Sequence, residues 1–322
     1  MTQRALVFPG QGSQVVGMGQ SLYDAFASAR EVFQEVDDAL GQKLSTLMFK
    51  GEEADLRLTA NAQPALMAVS LAVLKVLERE GGKAAPQLVH FAAGHSLGEY
   101  SALCGVGALS LADTARLLRL RGEAMQAAVP VGVGGMAALL GVDMVQAQEI
   151  AEAARQTPDG KQEVCAAAND NAPGQVVISG HMAAIDRAIA LAAERGFKRS
   201  VKLPVSAPFH CALMQPAADA MQTALERVTI GPLAVPVVAN VTAAPVQEPA
   251  QIRTLLVQQV TGAVRWRESM LKLKELGVEQ IVECGAGTVL AGLMKRIDKD
   301  VSAVSLHTPQ EIEAFLKTVS AT

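Results

Sequence analysis

Aromatic side chains make up only 3% of this 322-residue chain, and charged ones only 19%. Few aromatics and abundant Ala, Leu, Val and Gly suit close packing of helices on a sheet better than a core built around large rings. The 28 Lys and Arg against 32 Asp and Glu leave a formal net charge of −4, without a basic block. General nucleic-acid binding and attachment to an anionic membrane surface therefore have no electrostatic support. Continuous apolar runs stay well short of 18 residues, so no bilayer span is expected. The apolar run at residues 5–8 is too short for a secretory segment. Four cysteines (Cys104, Cys165, Cys211 and Cys284) lie far apart with neither zinc nor redox spacing. A soluble, cytoplasmic, disulfide-free and monomeric protein is the expectation. Disorder is excluded, because half of the residues are apolar and a chain of this length buries roughly three quarters of its unfolded surface.

What is present is an alternation. Short, nearly continuous apolar runs at residues 5–8, 88–93, 235–239, 280–284 and 303–306 read as strands covered on both faces. Long amphipathic stretches such as 64–79 and 111–128 lie between them, which predicts a mostly parallel α/β sheet. After Pro130 a glycine-rich joint changes the rhythm. Strands at 136–142, 164–168, 175–178 and 200–205 and helices at 144–156 and 182–195 give the order β-α-β-β-α-β of a ferredoxin-like module. Asn169 to Gly174 reads as the turn between its second and third strands. The predicted division is a large core of residues 1–130 and 203–322 carrying an inserted subdomain of residues 131–202.

Gly94-His95-Ser96-Leu97-Gly98 follows a predicted strand and precedes a helix-compatible stretch. That is the strand–turn–helix setting of a G-x-S-x-G nucleophile elbow, in which the serine hydroxyl is presented on a tight turn. The N–H of Leu97 then opens a helix and can face a developing oxyanion. A serine needs a base, and five histidines are available. His90 falls inside a predicted strand and reads as packed core. His95 adjoins the serine and should leave the turn in another direction, and His181 and His307 read as solvated. His210 ends a proline-braced loop before a helix, where the helix N-terminus would keep imidazole neutral. Capping or surface roles fit His210 equally well on local sequence.

Helix 111–128 has a solvent stripe of Arg116, Arg119, Glu123 and Gln126 and a cap of Ser110 and Asp113. Arg121 falls at the centre of the opposite, apolar face. A buried guanidinium there needs an anion, either a protein carboxylate or a substrate carboxylate, and the pattern does not choose. The opening FPGQGSQ at residues 8–14 lacks the third glycine of a dinucleotide fingerprint and the Gly-Lys-Ser/Thr ending of a phosphate loop. An N–H of this turn could instead supply a second oxyanion donor.

Together with RLRG at 119–122, AANDNAPGQVVISG at 167–180, PVSAPFHCALM at 204–214, VPVVANVTA at 235–243, QVTGAVRW at 259–266 and CGAGTVLAGLMKRI at 284–297, these motifs cover essentially the whole chain. In order and spacing they resemble the malonyl-CoA:acyl carrier protein transacylase family of fatty-acid synthesis. The resemblance implies a hydrolase-like core with a ferredoxin-like subdomain, and a ping-pong acyl transfer without a cofactor. It implies Ser96 as the acylated nucleophile, His210 as base and the N–H groups of Gln11 and Leu97 as oxyanion hole. Arg121 would hold the malonyl carboxylate, the main-chain carbonyl of Gln259 would orient the histidine, and Phe209 would select against α-branched acyl groups. Ala263 and Ala286 stand where many members carry proline, away from these groups. The implied partners are malonyl-CoA and acyl carrier protein. Because carrier proteins are acidic, local basic patches are docking candidates: Lys295 with Arg296, and Lys198, Arg199 and Lys202. The same site residues would serve a malonate decarboxylase transacylase subunit, a polyketide acyltransferase acting in trans, or a hydrolase, and a non-catalytic carrier-binding scaffold could retain the fold.

Overall fold

The computed structural model describes residues 2–320, so residues 1, 321 and 322 of the expected large core lie outside the described residues. The strands are β1 (Arg4–Phe8), β2 (Phe91–Gly94), β3 (Gly134–Leu140), β4 (Cys165–Ala172), β5 (Gln175–His181), β6 (Arg199–Lys202), β7 (Val237–Ala239), β8 (Ala244–Val246), β9 (Gln280–Cys284) and β10 (Ser302–Leu306). Six of them form a sheet in the order β10-β9-β1-β2-β7-β8. All neighbours in it run parallel except β7 and β8, which form an antiparallel hairpin. Burial on both faces explains the unbroken apolar runs: Ala5 and Val7 face one cluster, Leu6 and Phe8 the other.

Parallel strands bring their C-terminal ends to one edge. Phe8 pairs with Gly94, so the loops after β1 and β2 start side by side. They are so close that a Cβ on Gly10 would lie 2.7 Å from the His95 carbonyl oxygen, and one on Gly98 2.2 Å from that of Phe8. Glycine at these two positions is a packing requirement for a site shared by both loops.

The small sheet is wholly antiparallel, in the order β4-β5-β3-β6, the strand order of a ferredoxin-like module. Its two-residue periodicity separates two jobs. Ala137 and Leu139 of β3 and Val176 and Ile178 of β5 pack under helices Met144–Ala154 and Met182–Glu194. Met136, Ala138 and Val177 point the other way, into the main core cluster. That second face forms one wall of the functional cavity.

Three expectations need correction. The run at 88–93 is not one strand: Ala85–Leu88 is a helical turn with Pro86 near its start, and β2 begins at Phe91. His90 accordingly sits exposed in the bend between them instead of in a packed strand. Residues 169–172 are strand, leaving Pro173 and Gly174 as the turn; Asp170 N–H donates to the Val264 carbonyl and Val264 N–H to that of Ala168. Tertiary pairing has overridden the turn preference of Asn and Asp. The expectation of no bilayer span is not among them: the 23-residue helix Thr59–Gly81 is long and apolar enough to cross a membrane by length and composition, but 83% of its most apolar window is buried inside the protein. It is the central helix of the main core, packed from Ala65 to Leu77.

Candidate active site

Ser96 stands on the turn between β2 and helix Gly98–Gly105 with φ 52°, and His210 has φ 59°. Non-glycine residues in this left-handed region are strained and persist where their surroundings hold them. For Ser96 the holder is Asn240, at the end of β7. Its Oδ1 accepts from Ser96 N–H (2.8 Å) and its Nδ2 donates to the Gly94 carbonyl (2.7 Å). His210 is placed where the chain returns from β6 to the large body. The loop is braced at Pro208, which packs on Gly134 so tightly that a Cβ there would lie 2.4 Å from the proline ring.

The Ser96 Oγ lies 2.8 Å from His210 Nε2, and His210 Nδ1 lies 2.8 Å from the main-chain oxygen of Gln259. A carbonyl can only accept, so Nδ1 carries the hydrogen and Nε2 presents its lone pair to the serine hydroxyl. Burial, then the nearby Arg121 charge, pull the His210 pKa down to about 3. The imidazole is therefore neutral at physiological pH, as expected, but for a different reason from the helix terminus.

Arg121 is 1% exposed and reaches the same point from helix Leu111–Ala127, whose cap is Ser110 as expected. Its Nη1 donates to Gln63 Oε1 (2.8 Å), and its Nη2 to Gln259 Oε1 (2.9 Å) and Ser96 Oγ (3.1 Å). Its Nε is buried without a hydrogen-bond partner. The guanidinium is thus held by neutral amide oxygens, and no carboxylate contacts it directly.

The cavity has a volume of about 340 Å³ and is lined among others by Gln11, Ser96, Leu97, Arg121, Met136 and Phe209. Neither Gln11 N–H nor Leu97 N–H donates to another group among the described residues. His95 also lines it, and its ring does turn away from the serine: Nε2 is 2.8 Å from Asn171 Oδ1 on β4. His181 and His307 are not free in solvent either. His181 Nδ1 accepts from Val164 N–H (2.9 Å), and His307 Nδ1 lies 3.0 Å from Glu311. The basic candidates are exposed, but Lys202 pairs with Asp186 at 2.5 Å, and Arg296 donates to the Pro173 carbonyl (3.2 Å) and to Gln175. Among the described residues no three His, Cys, Asp or Glu side chains gather as a metal-binding group.

Sequence reading missed the amides and one acid. Gln63 and the side chain of Gln259 hold Arg121, Asn240 holds the elbow, and the 2%-exposed Glu99 lies beneath them all. Asn240 does sit inside a quoted motif and Glu99 directly follows the elbow, but an uncharged amide or a glutamate in a helix carries no local signal of such a role.

The acyl transferase domain model matches residues 5–308, a span that includes every residue of this site. The malonyl CoA-acyl carrier protein transacylase of Bacillus subtilis is 44% identical over 319 residues, 99% of this chain and 98% of the relative. The chain belongs to the malonyl-CoA:acyl carrier protein transacylases. Among solved structures, the acyl-carrier-protein S-malonyltransferase of Bartonella henselae superposes with a TM-score of 0.94 at 54% identity, covering 99% of this chain and all of the other. A second transacylase of this type, solved in complex with a type II PKS acyl-carrier protein, superposes with a TM-score of 0.93 at 40% identity over 98% of this chain and 100% of its own. In this chain Ser96, His210 and Arg121 meet in one cavity, with His210 Nε2 and Arg121 Nη2 both within hydrogen-bond distance of Ser96 Oγ.

Proposed function

We propose that this acyltransferase moves the malonyl group of malonyl-CoA to the phosphopantetheine thiol of acyl carrier protein through an ester on Ser96. The observation that carries the reading is the pairing of a neutral Ser96–His210 dyad with a buried guanidinium whose hydrogen-bond acceptors are the Gln63 and Gln259 amides and Ser96 Oγ, none of them charged. Ser96 Oγ attacks the thioester carbonyl as Nε2 takes its proton, and the carbonyl oxygen becomes an oxyanion facing the Gln11 and Leu97 N–H groups. One such donor is typically worth on the order of a hundredfold in rate or more. The C–S bond then breaks, the imidazolium returns its proton to the CoA thiolate, and the acyl-serine remains. The carrier thiol repeats the steps in reverse, which makes the kinetics ping-pong. Arg121 holds the free carboxylate of the malonyl group. Phe209, 7% exposed on the cavity wall, leaves little room for an α-methyl branch.

No metal or organic cofactor enters these steps. Residues 1–130 and 203–322 act as the body that carries the dyad, and 131–202 as the subdomain whose β3–β5 face closes the acyl cavity. The carrier docks over exposed Lys295, with Arg296 tying that helix to Pro173 and Gln175. A cytoplasmic monomer supplying fatty-acid synthesis fits this reading.

The test is to mix the protein with malonyl-CoA, quench in acid and record the intact mass beside Ser96→Ala, then add holo acyl carrier protein. One malonyl adduct on the wild type alone, discharged by the carrier, is the expected result. No adduct with malonyl-CoA untouched would turn the reading to a non-catalytic scaffold, and accumulation of free malonate to a hydrolase.

A further inference from the structure

Glu99 is the one acid beneath the nucleophile elbow, and the dyad chemistry above does not use it. Its Oε2 accepts two hydrogen bonds, from Gln259 Nε2 (2.7 Å) and Asn240 N–H (3.1 Å). Both donors belong to residues that build the site. Gln259 Nε2 also donates to the Ser96 carbonyl (2.9 Å), its Oε1 accepts from Arg121, and its main-chain oxygen accepts from His210. An amide rotated by half a turn would present N–H to the guanidinium, donor against donor. The carboxylate at Nε2 forbids that rotation.

The geometry points to Glu99 as a positioning residue that locks the Gln259 amide for Arg121 and whose negative charge competes with the malonyl carboxylate for that one guanidinium. The inference rests on the proposed malonyl transfer. Its physical content is a charge count. With Glu99 ionised, the buried Arg121 already has a neighbouring anion, and a second carboxylate entering the cavity repels it. With Glu99 protonated, the incoming carboxylate has the guanidinium to itself. Either state keeps the amide lock, because both accepted bonds fall on Oε2 and Oε1 is free to carry the proton.

The surroundings set where this competition falls. The ionisable groups acting on Glu99 are Arg121, from helix Leu111–Ala127, and Tyr100, from its own helix. His210 bonds the main-chain oxygen of Gln259 and stays neutral. The other elements packed on this helix bring no ionisable group to it: β2 and β7 carry none, the buried face of Thr59–Gly81 carries none, and Arg4 of β1 is bonded to Gln280 at the strand's far end. Burial pushes Glu99 up to about 7 against the pull of its hydrogen bonds and Arg121. Its charge therefore changes across the neutral range.

The experiment measures the rate constant for acylation of Ser96 by malonyl-CoA and by acetyl-CoA from pH 6 to 9, by rapid quench and intact mass. The ratio of the two cancels the dyad and the CoA moiety, which both substrates share. In the wild type the malonyl-to-acetyl ratio should fall as pH rises through 7, by up to about tenfold per unit if the competition is complete. In Glu99→Gln, whose amide oxygen can still accept from Gln259, the ratio should be independent of pH. A flat wild-type ratio overturns the inference, as does an equal slope in the variant. If Glu99→Gln does not fold, the wild-type profile decides alone. Failure of malonyl-CoA to acylate Ser96 at any pH would instead sink the transfer reading itself, so the two failures are distinct.

Discussion

The large sheet buries two glutamates, Glu99 just after β2 and Glu283 in β9, at 2% and 0% exposure. Their surroundings make them opposites. Glu283 lies under the start of helix Val289–Ile297: Oε1 accepts from Leu290 N–H (2.9 Å), Oε2 from Ala291 N–H (3.0 Å) and Ser305 Oγ (2.8 Å). Both oxygens are satisfied, and the helix terminus supplies positive potential. Glu99 has both bonds on one oxygen, at residues that hold the catalytic dyad, and a buried cation nearby. Burial raises both pKa values, yet only Glu99 is coupled to a group that would meet substrate. Burial alone thus says little about what an acid does; its donors decide whether it fastens a fold or biases a site.

The most drastic way to break the comparison is to remove the cation on the Glu99 side. Arg121→Ala deletes the proposed carboxylate grip and leaves Glu99 buried without its counter-charge. Malonylation of Ser96 should fall on the order of a thousandfold, with a much smaller loss for acetyl transfer, which asks nothing of the guanidinium. Single-turnover acylation with the two thioesters checks this. Equal losses would contradict the assignment of Arg121 to the substrate carboxylate.

A change on the other side sharpens it. Glu283→Gln puts an N–H₂ against the backbone N–H of either Leu290 or Ala291, donor against donor, and should cost about 1–3 kcal/mol of stability. Urea unfolding should show this loss while the malonyl-to-acetyl ratio keeps its wild-type dependence on pH. Glu99→Gln should do the converse, altering the ratio profile with the smaller stability change. If Glu283→Gln moved the ratio as well, the contrast between the two acids would collapse.

The difference between the two glutamates was not legible in the sequence, and the reason is instructive. The elbow was, because glycine at 94 and 98 follows from backbone contacts of 1.8 and 2.2 Å that any Cβ would make. Arg121 was, because a wheel places it among apolar residues that the structure indeed buries. The parallel core and the β-α-β-β-α-β module were legible as alternations of period. The hairpin strand β8 was not, being three residues long with a proline at its centre. Residues 169–172 read as a turn on local preference, although pairing with Val264 and an ion pair from Asp170 to Arg267 at 2.8 Å make them a strand. Gln63, Asn240 and the Gln259 side chain act at separations of 58 to 163 residues from the groups they hold. Neutral amides leave no periodicity or charge pattern, so only the fold reveals them.

The smallest expected effect is an absence. A histidine at its ordinary value of 6.5 would lose about fivefold in proton-accepting form between pH 6.5 and 5.5. His210, held down to about 3 by burial and Arg121, remains neutral across that interval. Acylation by acetyl-CoA, which carries no carboxylate to feel Glu99, should therefore stay level from pH 7.5 to 5.5; a decline with a midpoint near 6.5 would show that the dyad titrates as an exposed histidine. The same shift has a cost with a definite sign. Below 6.5 the unfolded chain gains a proton at this position that the folded chain does not, so the contribution of His210 to stability falls as pH drops from 6.5 towards 3. His210→Gln should lessen that decline in unfolding measurements while abolishing the base. A site that keeps its base neutral by burying it is expected to be one of the places where acid opens this fold.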